Sequence, residues 1–220
     1  MIRVAQASKP TDFDAKVRTP GLRALAEMVG EMVGEKQARG GGRRHQKIAT
    51  SREDIPPEKF PPYWTEAIED LMQAYHRICA YSCFAIHPVT GSASVDHFAP
   101  KSRSWDRVYE WENYRLACSR LNARKTNFTD LLDPFEVQDG WFQLELVGFQ
   151  VIPNPSLDPL VREQVIHTID TLDLNDFCQE REIDSEEYWA KHVSLKILTQ
   201  ESPFVAKELR RQGRLNQGDS

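Results

Sequence analysis

Asp96 and His97 stand side by side at the end of a short, β-prone run that begins at Ser94. Neighbouring residues of a strand point to opposite faces of a sheet. One of the two can therefore hold a metal while the other meets a different ligand, provided a bend brings both to one cleft. A charged loop follows, a second apolar run starts at Asn113, and a short polar helix carries Asn122 and Lys125. An asparagine on a helix laid across the first strand supplies a second, neutral oxygen to the same ion. Hard cations such as magnesium take oxygen donors and are often held by one or two protein groups, and manganese suits the same set. An imidazole near its ordinary pKa takes a proton from water at neutral pH. Cation and base together are what phosphodiester hydrolysis needs.

The spaced set Asp96-His97, Pro100-Lys101, Trp111-x-Asn113, Leu116-x-Cys118 and Asn122-x-x-Lys125 resembles the HNH, or ββα-metal (His-Me finger), endonuclease family. More narrowly it is similar to HNH proteins of bacterial anti-phage defence, of the Septu PtuB and retron-associated type. The resemblance implies a metal-dependent endonuclease acting on DNA, with Asp96, His97, Asn113 and Asn122 as its catalytic set. It makes His97 the general base, Asp96 and Asn122 the ligands of Mg2+ or Mn2+, and Asn113 the residue that fixes the loop behind the imidazole. Lys101, Arg115, Arg124 and Lys125 would meet phosphates, giving affinity without sequence reading. It also implies a partner ATPase, for which the acidic stretch from Asp173 to Glu187 is the candidate docking face. Asn122 departs from the histidine that many relatives carry there.

Many defence-type HNH proteins also hold zinc in two Cys-x-x-Cys pairs. Here the first pair is Cys79-Ala80-Tyr81-Ser82-Cys83, one residue too wide, and Leu121 stands where the last cysteine belongs. Structural zinc needs four Cys or His ligands. Cys79, Cys83 and Cys118 would have to recruit His76 or His87, so the reading is a lost zinc site refilled by apolar packing, and Cys178 reads as a buried thiol.

The formal net charge of −5 is unusual for a dedicated nucleic-acid binder, but the residues between His97 and Asn127 form a basic island. No stretch approaches the ~20 apolar residues of a membrane span. The first residues lack an apolar leader core, so the expectation is a cytoplasmic protein.

Three segments follow from the patterning. Residues 1–62 read as an extended arm, a helix from Gly21 to Val33, and a linker around Arg39-Gly40-Gly41-Gly42-Arg43-Arg44. Residues 63–155 read as the HNH core, with a supporting helix from Tyr63 to about Cys79, a hairpin turning at Gln138-Asp139-Gly140 between Phe135–Val137 and Trp141–Leu146, and a third short strand continued by Phe149 and Val151. Residues 156–220 read as helical, with helices from Leu160 to Leu172, Glu186 to Leu198 and Pro203 to Arg211, then a frayed tail. The fold class is α+β, mainly helical around a central ββα unit with a small hairpin. Two rival functions stay open: a non-catalytic binding or scaffold subunit that keeps the ββα shape, and an RNase.

Overall fold

The computed structural model describes residues 1–31 and 45–220. The expectations for Met32, Val33 and the glycine-rich linker at 39–44 lie outside the described residues. Among those described, the architecture is α+β and mostly helical, with seven α-helices and two small antiparallel sheets of two strands. No helix among them is long and apolar enough to cross a membrane.

Strands β1 (Ala93–His97) and β2 (Tyr114–Cys118) pair antiparallel, with Asp96 opposite Arg115 and His97 opposite Tyr114. Helix α3 (Ser119–Lys125) follows β2 directly and packs on both strands. The other side of β1 is covered by a 3-10 turn, Tyr63–Ala67, and helix α2 (Ile68–Ala74). The supporting helix is thus shorter than its periodicity suggested. It ends at Ala74 because His76 and Arg77 take positive φ, 51° and 66°, which α-helical backbone does not allow. Leu121 is buried in the core.

The N-terminal arm is not loose. Phe13 and Val17 are fully buried, and Phe13 meets Trp111 and Tyr114 edge-on, at 5.6 and 5.8 Å between centroids. Helix α1 (Thr19–Val29) stops at Gly30, whose φ of 82° forms a left-handed C-cap. The hairpin also differs from its expected place. Strand β3 (Phe142–Leu144) pairs with β4 (Val151–Pro153), while Phe135–Val137 forms a turn. The carboxylate of Glu145 accepts the amides of Val147, Gly148 and Gln150, which closes the loop between β3 and β4, one strand later than the expected turn at Asp139-Gly140.

Helices α4 (Pro159–Leu172) and α7 (Pro203–Arg211) lie where the apolar spacing put them. The expected helix from Glu186 to Leu198 is instead two, α5 (Cys178–Trp189) and α6 (Leu195–Glu201). Lys191 breaks the run with a φ of 62°, and Ser194 caps the restart by accepting the Ile197 amide. The tail is tied down rather than frayed. Trp189 Nε1 donates to the Arg214 carbonyl and the Asn216 amide donates to the Tyr188 hydroxyl. One apolar core runs through all three segments of the chain.

Gly21 of α1 lies flat against the Tyr109 ring, where an added Cβ would meet ring carbons at 2.4 to 2.6 Å. Tyr109 in turn stacks on Trp64 at 6.1 Å. Gly21→Ala is expected to lower unfolding stability by roughly 1–3 kcal/mol, the cost of overpacking, read by urea denaturation. An unchanged midpoint would mean that this contact is not tight.

Candidate active site

The alternation of β1 divides the predicted residues between two faces of the sheet. Asp96, with its cross-strand neighbour Arg115, turns toward α3, whereas His97 and Tyr114 turn toward the Tyr63–Ala67 side. Both residues are buried, at 2 % and 8 % exposure.

On the His97 face, the imidazole packs edge-on against Trp64 and Tyr114, at 4.9 and 5.2 Å between centroids. Its Nε2 lies 3.0 Å from the Val108 carbonyl oxygen. A carbonyl only accepts, so Nε2 carries the proton and Nδ1 keeps its lone pair. Among the described residues no protein group bonds Nδ1. Asn113 holds the loop behind this arrangement, as its Oδ1 accepts the Ala99 amide at 2.7 Å and its Nδ2 donates to the carbonyls of Ala99 and Arg107. Lys101 sits 4.3 Å from the Trp64 ring centre, a cation–π contact.

The near-ordinary imidazole expected from sequence is corrected. Burial, then the charges of Lys101 and Lys125, push His97 from 6.5 down to about 3, against the opposing bond to Val108. His97 is therefore neutral at physiological pH and a weaker base than a solvated histidine.

On the opposite face, Asp96 is engaged at both oxygens. Oδ1 lies 3.1 Å from Lys125 Nζ, and Oδ2 accepts the Tyr81 hydroxyl at 2.5 Å. Lys125 Nζ also donates to the carbonyls of His97 and Phe98, each at 3.1 Å. Burial lifts the Asp96 pKa above the usual carboxylate range, against the opposing Lys125 and Tyr81. Asn122 donates its Nδ2 to Ser94 Oγ and the Val95 carbonyl, at 3.2 and 3.3 Å. Asp96 and Asn122 thus share the α3 face of β1. As arranged they do not fit a hydrated Mg2+ or Mn2+, because an ammonium already sits on the buried carboxylate and such an ion keeps several waters.

The expected phosphate contacts are corrected in part. Lys125 is fully buried. Arg115 is also buried, clamped on Asp133 through Nε at 2.8 Å and stacked 3.5 Å over Phe135. Neither cation is exposed at the surface, where a phosphate would be met. Arg124 and Arg120 both pair with Asp176 of the acidic stretch. Lys101 is half-buried, with Nζ over the Trp64 ring that packs on His97.

Of the cysteines, Cys79 and Cys118 adjoin, the Cys118 amide donating to Cys79 Sγ at 3.4 Å. The Cys83 thiol faces the Tyr81 carbonyl instead, at 3.9 Å. Among the described residues no group of three His, Cys, Asp or Glu side chains is arranged to hold a metal. A cavity of about 1020 Å³ between residues 2–5 and the end of α2 is lined in part by Cys79 and Cys83, while Asp96 and His97 do not line it.

Sequence reasoning missed Tyr81, the Val108 carbonyl and the inward position of Lys125. The last had a signal, since Lys125 follows Leu121 by four residues and so shares its helix face. No family model matches the chain, and no curated protein matches it.

The buried imidazole makes stability depend on pH. The unfolded chain binds this proton near 6.5 and the folded one only near 3. The contribution is complete above the unfolded value and is lost as pH falls from there toward the folded value, by up to about 1.4 kcal/mol per pH unit. His97→Gln is expected to flatten that part of the profile, compared by urea denaturation at about pH 7 and about pH 5. Parallel profiles for the two proteins would contradict the assigned burial effect.

Proposed function

We propose that this chain hydrolyses phosphodiester bonds in nucleic acid, DNA in the first instance, with His97 as general base. The observation that carries the reading is the 3.0 Å contact of His97 Nε2 with the Val108 carbonyl oxygen, which assigns the tautomer. The Val108 carbonyl holds the proton on Nε2, and Asn113 braces the loop, so Nδ1 is free to take a proton from water. The water oxygen attacks phosphorus, the bond to the leaving 3′ oxygen breaks, and that oxygen takes a proton from solvent. Lys101, near enough for its charge to act on His97, faces the phosphate and offsets the charge that grows on its oxygens. Trp64 and Lys101 together form an aromatic and cationic edge of the kind that single-stranded nucleic acid uses. The magnesium or manganese ion implied by the HNH resemblance has no step here, because the Asp96 carboxylate is committed to Lys125 and Tyr81.

The same resemblance suggests an effector of anti-phage defence whose partner ATPase delivers substrate. Glu182 and Glu186 of α5 are exposed and available for such docking, whereas Glu187 is engaged by His192 and Asp173 and Asp176 are drawn to Arg124.

A second reading is a non-catalytic subunit that keeps the strand-strand-helix shape. The sealing of Asp96 and the low exposure of His97 favour it.

Purified protein offered single- and double-stranded DNA and RNA decides between the two. The wild-type chain is expected to cut DNA, and His97→Gln to slow cleavage by about 100-fold or more, the usual worth of a general base. Cleavage by the variant at the wild-type rate overturns the role of His97. Cleavage of RNA alone turns the assignment to an RNase, and no cleavage of either favours the scaffold.

A further inference from the structure

We propose that Lys125 is itself the resident cation of the α3 face of β1, so that Asp96 is an ion-pair partner that positions His97 and not a metal ligand. An ammonium has three N–H donors and no acceptor. Here all three are matched: Asp96 Oδ1, the His97 carbonyl and the Phe98 carbonyl each lie 3.1 Å from Nζ. These are the kinds of oxygen a hard divalent ion would seek, and a protein cation already takes them.

Charge balance points the same way. The groups facing Asp96 from every packed element are Tyr81 from the preceding loop, Lys125 from α3 and Arg115 from β2, with Asp133 paired to Arg115. Two carboxylates meet two cations in a layer almost closed to water, since Asp96, Arg115 and Lys125 expose 3 % or less. A divalent ion added there would leave uncompensated charge in a desolvated layer, which is strongly unfavourable.

The arrangement has a mechanical consequence on the other face of the strand. By gripping the carbonyls of His97 and Phe98, Lys125 ties the end of β1 to α3. The backbone that aims the imidazole is thereby held from behind. Lys125 is a positioning residue, and the consequence for catalysis, cleavage without a divalent ion, rests on the hydrolysis proposed above.

The test reads metal binding directly. Mn2+ is titrated into the wild-type chain while the backbone amide signals of residues 95–98 are followed by NMR. No selective broadening there is expected, and broadening of those signals at stoichiometric Mn2+ overturns the proposal. In Lys125→Gln the carboxylate is released, and Mn2+ is expected to bind at least about tenfold more tightly than to wild type, a change of the size seen when the surroundings of a metal site are altered. That gain should vanish in Asp96→Asn/Lys125→Gln. A folded Lys125→Gln that binds no tighter also overturns the proposal, since a merely structural lysine would leave metal binding unmoved. Should that variant not fold, the wild-type titration alone decides.

Cleavage assays with EDTA separate this inference from the reading it rests on. Cleavage that survives EDTA and is lost in His97→Gln supports both. Cleavage that needs a divalent ion, with broadening at 95–98, overturns the inference and spares the hydrolase. Absence of both cleavage and broadening removes the hydrolase and leaves Lys125 as the cation.

Discussion

A buried ion pair, Lys125 with Asp96, sets the geometry of the central unit. Taking two charges out of water costs several kcal/mol per ion unless close geometry and further hydrogen bonds offset it. The offset here comes from the Tyr81 hydroxyl on one side and the two strand-end carbonyls on the other. Every donor of the ammonium finds an acceptor, and both carboxylate oxygens are occupied. The pair therefore fastens three pieces that are distant in sequence: the Cys79–Phe84 turn, the end of β1 and the last turn of α3. Removing one partner alone would strand a buried charge, at a cost of about 3–5 kcal/mol.

That fastening gives the strand two different sides. Toward α3 the surface is charged, paired and sealed. Toward the Tyr63–Ala67 turn it is aromatic, with His97 among Trp64, Tyr109 and Tyr114 and with Lys101 at its rim. The aromatic wall is braced from further away. The Tyr109 hydroxyl donates to the Pro61 carbonyl, and Gly21 allows α1 to close against the ring. Asn113 completes the frame by satisfying both its amide donors and its oxygen on the loop backbone. Among the described residues no protein group bonds the atom a base would use, Nδ1 of His97, whose other ring nitrogen is taken by the Val108 carbonyl. Its low basicity follows from the same packing that orients it.

Much of this was legible in the chain. The order strand, loop, strand, helix around Asp96, His97, Asn113 and Asn122 could be read from apolar runs and turn residues, and so could α4 and α7 from their spacing. The role of Asn113 came from the HNH resemblance and not from the residue pattern, which offered only a strand-entry asparagine; its bonds to the loop backbone are those the resemblance implied. The misplacements have physical causes. Asp139-Gly140 carries a strong turn signal, yet the hairpin loop is closed by the Glu145 side chain, a contact with no local pattern. The run from Glu186 to Leu198 lacks a proline or glycine to mark its break, and the break rests on one residue at positive φ followed by a serine cap.

The sequence alone determined the types and order of the central elements, because periodicity and turn chemistry act over a few residues. It also pointed to Asp96, His97, Asn113 and Asn122 as polar side chains of the strand-strand-helix unit, but not to Tyr81. Only the tertiary structure decided what they do to one another. Which face of a strand a residue takes, and whether a lysine four residues after a buried leucine reaches solvent or a carboxylate, depend on what packs above it. Electrostatic energy changes severalfold between water and a sealed layer. The same Asp96 and Lys125 that read as a metal ligand and a phosphate contact in an open cleft therefore become, once covered by α3, each other's counter-ion.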